Sequence, residues 1–181
     1  MNSNTSQMNC IARWVALAIF GIACLTFLPA MSQAQSVESV KQAMASLKVK
    51  TAKLGAPSIE GEEMVAGKSV PALYFGTTKM NNNFAVVDEV KNEMGGTATL
   101  FVKSGEDFVR VATNVQKDDG SRAIGTVLDP QGKAIAAIRT DKPYYGEAAI
   151  LGKQYLTGYE PIRDSGGNVI GVYYVGYPKS Q

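Results

Sequence analysis

Residues 86–128 read VVDEVKNEMGGTATLFVKSGEDFVRVATNVQKDDGSRAIGTVL, and the order of the segments within them decides the fold. A helix ends at Gly95 and Gly96, because glycine readily adopts the left-handed conformation that stops a helix. Two stretches rich in β-branched and apolar residues, 97–102 and 108–113, follow it around a short polar loop. The pattern predicts an antiparallel β-hairpin directly after a helix.

Two segments precede this stretch. Residues 36–54 place apolar side chains at spacings of three, four and seven, which predicts an amphipathic helix with Ser36 as its N-cap and Gly55 at its end. Residues 56–83 show weak periodicity and contain several glycines and prolines. We expect this segment to be irregular, apart from a short extended piece at residues 73–75.

The C-terminal part of the chain alternates turns with extended segments. Residues 124–128 are expected to be a short extended segment, and residues 133–139 a short helix. Three long strands are predicted after them, over residues 145–151, 154–162 and 169–177. Together with the earlier hairpin they would form an antiparallel five-strand meander, so the predicted fold class is α+β, with one central sheet flanked by short helices.

The first 34 residues have the layout of a secretory signal peptide. Arg13 precedes the apolar run WVALAIFGIACLTFLP, and Ser32 and Ala34 are the small residues that a signal peptidase requires. Cleavage is predicted after Ala34, which would release a periplasmic or secreted protein. The alternative is an uncleaved N-terminal anchor, although the apolar run is shorter than the roughly 20 residues that span a bilayer.

The composition argues against several kinds of chemistry. Both cysteines, Cys10 and Cys24, lie in the predicted leader, and the sequence contains no histidine. Neither a Ser-x-x-Lys nor a Gly-x-Ser-x-Gly motif is present, so the sequence does not indicate an enzyme, and no metal-ligand motif indicates a metal cofactor. With Arg13 set aside, the basic and acidic residues nearly balance, so no basic field indicates a nucleic-acid partner.

Arg110 is the main candidate for binding an anion. Period-two alternation places Phe108, Arg110, Ala112 and Asn114 on one face of the predicted strand. A guanidinium can donate two parallel hydrogen bonds to a carboxylate, and hydroxyl or amide donors can satisfy the remaining lone pairs of that carboxylate. An arginine between apolar strand residues is therefore either a ligand anchor or half of a structural ion pair.

Three further polar residues near Arg110 are candidates for the same pocket. Arg122 could reach the ligand from the side, or it could brace its own loop through Asp118 or Asp119. Asn114 and Thr126 are candidate donors to a ligand, or else they are turn and strand-end residues.

Tyrosines are concentrated near the C-terminus, where all but one of the eight lie after residue 143. A phenol offers an apolar wall and one polar tip, which suits a small-molecule pocket. We expect Tyr145 and Tyr159 to line the pocket, and most of the other tyrosines to fill the core of the sheet.

These residues also carry a resemblance to a known family. The runs VVDEV, GGTATLF, DFVRVATNV and DGSRAIGTVLD, followed by PYYGEAAILGKQYLTGYEPIRDSGGNVIGVYYVGYP, resemble a Cache domain of the Cache 3/Cache 2 fusion type over about residues 73–177. The resemblance implies a PAS-like fold in which a long N-terminal helix leads into a curved antiparallel sheet. It also implies an extracytoplasmic sensor whose concave sheet face binds small molecules, often organic acids or amino acids.

The sequence departs from the pattern of this family in two ways. Family members usually lie between two transmembrane helices and carry a cytoplasmic output module, whereas this chain ends at Gln181. We therefore expect a free-standing domain that signals through a membrane receptor or kinase, or that acts as a soluble binding protein. Some relatives hold a covalent haem through a Cys-x-x-Cys-His motif, which this chain lacks, so no haem is expected.

The resulting division of the chain has three parts. Residues 1–34 are the signal peptide, residues 35–72 a helix with an irregular connector, and residues 73–181 a Cache-like ligand-binding domain. The predicted ligand is a small carboxylate. The alternative is a structural or interaction module that keeps the fold without a ligand.

Overall fold

The structure, a computed structural model, describes residues 36–179, and the predicted signal peptide lies outside these residues. Three helices and eight strands follow one another along the described chain. They are α1 Val37–Ala52, β1 Pro57–Val65, β2 Lys68–Phe75, β3 Thr78–Lys79, α2 Ala85–Met94, β4 Thr97–Ser104, β5 Asp107–Thr113, α3 Lys133–Arg139, β6 Tyr144–Ile150, β7 Lys153–Arg163 and β8 Val169–Pro178. Within residues 36–179, no helix is both long enough and apolar enough to cross a membrane.

The predicted helices form for the expected reasons. The Ser36 side chain accepts a hydrogen bond from the backbone N–H of Ser39 and so caps α1. Gly95 adopts a left-handed conformation, with φ of 76°, and its N–H donates to the carbonyl of Lys91 to close α2. The short helix α3 begins and ends at the predicted residues, 133 and 139.

The prediction of an irregular segment over residues 56–83 is wrong. This segment forms a three-stranded antiparallel sheet in the order β1-β2-β3, and residues 73–75 are the end of the long strand β2. The boundary predicted between residues 72 and 73 consequently lies inside a strand. Residues 124–128 also differ from the prediction, because they form a loop in which Val127 makes an isolated bridge to Val109.

The central sheet has five antiparallel strands, as predicted, and the α+β fold class is confirmed. The strand order is β5-β4-β8-β7-β6, which corrects the expected meander. The last strand, β8, pairs with β4 on one side and with β7 on the other. The C-terminal strand therefore lies at the middle of the sheet.

Each face of the central sheet is covered by a separate core. One face, which we call the helix face, packs against α1, α2 and strand β2 through residues such as Leu47, Val87 and Leu100. The opposite face, the pocket face, packs against α3 and the loop before it through residues such as Phe101 and Ile135. The period-two alternation of a strand sends neighbouring residues of β4 and β8 to different cores.

Candidate functional site

A cavity of about 370 Å³ opens on the pocket face of the central sheet. Its walls come from strands β6 and β7, from the N-terminal turn of α3 and from the loop that precedes α3. Its volume lies at the small end of the range of about 300–1,000 Å³ that is usual for ligand pockets. The lining is mainly apolar and includes Val127, Leu128, Ala134, Ala148, Ala149, Ile150 and Leu151.

Arg110 lies at the floor of this cavity, as part of β5. Its side chain is only 4% exposed, and its guanidinium carbon lies 5.0 Å from the ring centre of Phe101, which covers one face of the cation. Within residues 36–179, Arg110 forms no salt bridge. Burial lowers its pKa, but a guanidinium stays protonated in proteins, so the cavity contains a buried cation.

Thr126 holds one end of the Arg110 guanidinium. The Nη1 atom of Arg110 donates to the Thr126 hydroxyl at 2.7 Å, and this hydroxyl donates in turn to the carbonyl of Ala123 at 2.8 Å. Because the hydroxyl donates its one hydrogen to the carbonyl of Ala123, it can only accept a hydrogen bond from Arg110. The backbone strengthens the link, since the Arg110 N–H donates to the carbonyl of Thr126 at 2.9 Å. Thr126 thus orients the arginine.

The other two nitrogens of the Arg110 guanidinium, Nε and Nη2, make no hydrogen bond with residues 36–179. The Nε atom is buried and has no hydrogen-bond partner in the described part of the chain. No hydrogen bond of Nη2 to another described residue is present either. A buried donor without a partner is unusual in native proteins and calls for an explanation such as an absent ligand or water.

Tyr159 lies in the same cavity as Arg110, as predicted. It pairs directly with Tyr144 across strands β6 and β7, so that both rings lie on the pocket face, with their centres 6.2 Å apart. The Tyr159 ring also packs against Tyr174, with a centroid distance of 5.0 Å. Tyr144 therefore belongs to the pocket although we did not expect it there.

Tyr145 does not line this cavity. It is the strand neighbour of Tyr144 and points to the helix face, where its hydroxyl donates to Glu160 at 2.5 Å and Glu160 also pairs with Lys48 of α1. Burial raises the pKa of Tyr145, and the hydrogen bond to Glu160 raises it further, so the phenol remains a donor. Its role in the structure is to join β6 to β7 and, through Glu160, to α1.

Asn114 also lies away from the cavity. Val111 is an extra residue of β5 that has no partner in β4, between the pair of Leu100 with Ala112 and the pair of Phe101 with Arg110. This bulge shifts the register, so the alternation that begins at Phe108 does not continue to residue 114. The Asn114 amide donates to the carbonyl of Val87 at 2.5 Å, and its oxygen accepts from the Ala98 N–H at 2.8 Å. Asn114 thus connects α2 to the start of β4 on the helix face.

Asn114→Ala is expected to lower the free energy of unfolding by about 2 kcal/mol, because it leaves the buried N–H of Ala98 without an acceptor. Urea denaturation measures the change. Asn92→Ala, at an exposed position of α2, is the control and should change the stability by less than about 0.5 kcal/mol. A loss of carboxylate binding in Asn114→Ala with unchanged stability would instead return Asn114 to the binding site.

Arg122 has a structural role, and its partner is neither Asp118 nor Asp119. Its two terminal nitrogens each donate to one carboxylate oxygen of Asp88 at 2.8 Å, and Nη1 also donates to the carbonyl of Thr113. The guanidinium carbon lies 4.4 Å from the ring centre of Phe84. Arg122 therefore links the loop that follows β5 to α2, and it does not line the cavity.

Charged side chains that the sequence reasoning missed surround the mouth of the cavity. Asp129 lies in the turn before α3, Lys133 is the first residue of α3 and Glu147 lies on β6, and all three are exposed to solvent. Glu147 forms a salt bridge of 2.6 Å with Lys179. Among residues 36–179, no group of three or more acidic, cysteine or histidine side chains is placed to hold a metal ion.

Comparisons with known proteins give a family and a distant structural likeness. A family model described as the Cache 3/Cache 2 fusion domain matches residues 28–181. A solved structure of a protein described as a transcriptional regulator from Rhodococcus sp. RHA1 is similar at 14% sequence identity, with a TM-score of 0.40, over 72% of this chain and 71% of that chain. This distant likeness supports no statement about function. No curated protein matches the chain.

Proposed function

The chain belongs to the Cache 3/Cache 2 fusion domain family, and from this premise we propose that its cavity binds a small organic anion, most simply a carboxylate, in a reversible sensing role. Domains of this family are extracytoplasmic sensors of small molecules, and the fold described above is the PAS-like fold of the family. The proposed ligand would be an organic acid or an amino acid. The occupied domain would then act on a membrane receptor or kinase, or serve as a soluble binding protein.

One observation carries the proposal, namely the buried guanidinium of Arg110 in a cavity, without a salt-bridge partner among residues 36–179. Removing a charge from water is costly unless a partner of opposite sign replaces the hydration. A structural arginine meets this requirement inside the protein, as Arg122 does with Asp88. Arg110 has no such partner within residues 36–179, and in our proposal the anionic ligand is the partner of opposite charge.

A thermal-shift screen with small carboxylates and amino acids tests the proposal. A ligand at one hundred times its dissociation constant should raise the free energy of unfolding by about 2.7 kcal/mol. For a domain of this size the Tm should rise by roughly 5–10 °C. The structural or interaction module without a ligand is the alternative function, and it predicts that no compound shifts the Tm.

A further inference from the structure

We infer that the ligand is a monocarboxylate with an apolar body, and that the Tyr159 hydroxyl is the second donor to its carboxylate beside Arg110. This inference rests on the proposed function and adds the chemical class of the ligand. It depends on which hydrogen-bond donors at the cavity already have a partner within the protein. It also depends on whether the rest of the cavity is lined by apolar or by charged side chains.

The first step concerns the arginine. Thr126 occupies Nη1 of Arg110, and the ring of Phe101 covers one face of the guanidinium. The edge formed by Nε and Nη2 makes no hydrogen bond within residues 36–179. Nε is closed to solvent, so Nη2 is the nitrogen that can donate to one oxygen of a carboxylate, and the other oxygen needs a second donor.

The second step concerns the tyrosines on the pocket face. The Tyr144 hydroxyl donates to the carbonyl of Glu147 at 2.7 Å, and the Tyr174 hydroxyl shares a hydrogen bond of 3.2 Å with Thr97. The Tyr159 side chain is only 1% exposed and lines the cavity, yet its hydroxyl has no hydrogen-bond partner in the described chain. Burial raises the pKa of Tyr159, so the phenol keeps its proton and acts as a donor. It is therefore the tyrosine available to a ligand anion.

The third step concerns the body of the ligand. Beyond Arg110 and Tyr159 the walls are mainly aliphatic, with Leu128, Ala148 and Ile150 among them. A second cation at the cavity, Lys133, is exposed at the mouth, where Asp129 and Glu147 are exposed as well. A second carboxylate on the ligand would therefore lie among apolar walls without a buried cation, which is unfavourable. An alkyl or aryl group fits the same walls.

Isothermal titration calorimetry of the full chain tests both the ligand class and the role of Tyr159. Butyrate is compared with succinate and hexanoate with adipate, because the members of each pair differ in a terminal carboxylate, and benzoate adds an aromatic body. We expect the monocarboxylates to bind about tenfold or more tightly than their dicarboxylate partners. Tighter binding of succinate or adipate would overturn the assignment of the ligand class.

Tyr159→Phe and Tyr145→Phe form a matched pair, since each removes one phenolic oxygen and only Tyr159 lines the cavity. Tyr159→Phe is expected to weaken binding of the tightest monocarboxylate about tenfold or more, because a hydrogen bond to a charged group is lost. Tyr145→Phe should leave the Kd within about threefold, because Tyr145 lies outside the cavity and its hydroxyl binds Glu160. Equal affinities of Tyr159→Phe and the unmodified protein would overturn the role of Tyr159.

The outcomes also separate this inference from the proposed function. If none of the five acids binds, and the wider thermal-shift screen is also negative, both the proposed function and the inference fail. If a dicarboxylate or an amino acid binds and Arg110→Met abolishes that binding, the proposed function stands and the inference fails. If a monocarboxylate binds with equal affinity in Arg110→Met, the site is elsewhere and both fail.

Discussion

Arg110→Met is expected to stabilise the unliganded protein by about 1–3 kcal/mol while abolishing the stabilisation by carboxylates. Methionine replaces the buried cation with a shorter, unbranched apolar side chain, so the desolvation of the guanidinium and the unpaired Nε no longer oppose folding. The substitution also removes the proposed partner of the ligand carboxylate. Urea denaturation of the free protein measures the first effect, and thermal shift with the monocarboxylates measures the second.

Arg122→Met is the matched control, because it makes the same chemical change at the other arginine that stacks on a phenylalanine. We expect it to destabilise the protein by about 1–2 kcal/mol, since the bidentate pair with Asp88 and the hydrogen bond to Thr113 are lost. Carboxylate binding should persist in this variant. Destabilisation by Arg110→Met of the same size as by Arg122→Met would show that Arg110 is a structural residue.

Gly171→Ala is expected to lower the stability by about 3 kcal/mol or more, which corresponds to a drop of about 10 °C in Tm. Gly171 lies on the central strand β8 between Val102 and Ile162, and an added Cβ would lie 2.4 Å from the carbonyl oxygen of Phe101. The obstacle is backbone, so the strands themselves must move apart. Because Phe101 also packs against Arg110, binding at the cavity should weaken as well.

Gly166→Ala provides the comparison for this substitution. An added Cβ at Gly166 meets only the side-chain ends of Asn168 and Asp164, at 3.1 Å and 3.3 Å, and these ends can move. We expect a change in stability below about 1 kcal/mol, measured by differential scanning calorimetry. Equal losses for the two variants would mean that the contact with Phe101 is not the cause.

The elements that could be predicted are those whose apolar residues form a clear pattern in the sequence. Helix α1 buries Val40, Met44 and Leu47 on one side, and the hairpin of β4 and β5 has a compact apolar pattern with a short polar turn. Such patterns report the position of the core directly. The first sheet has no such pattern, because most of strand β1 is exposed, with Met64 57% exposed, and Pro71 interrupts β2.

Only some of the residues that line the cavity could be predicted, because the register of the sheet decides which side chains share a face. The sequence analysis places Tyr145 in the pocket and not Tyr144, although strand neighbours point to opposite faces, so that one of the two must lie outside the cavity. The turn Leu151-Gly152 has two residues, so counting back from it pairs Tyr144 with Tyr159. That count was available in the sequence. The bulge at Val111 of β5, which moves Asn114 to the face opposite Arg110, has no comparable signal in the sequence.

The central position of β8 has a consequence for how the chain reaches its native state. Strand β4 has a partner on both edges only after β8, which lies about 70 residues further along the chain, has paired with it. The β6–β7 hairpin joins the sheet only through β8. Such distant pairing makes assembly slow, because a long loop must close before the contacts form. Until then the inner edge of β4 stays unpaired, and the partly folded chain is open to aggregation and proteolysis.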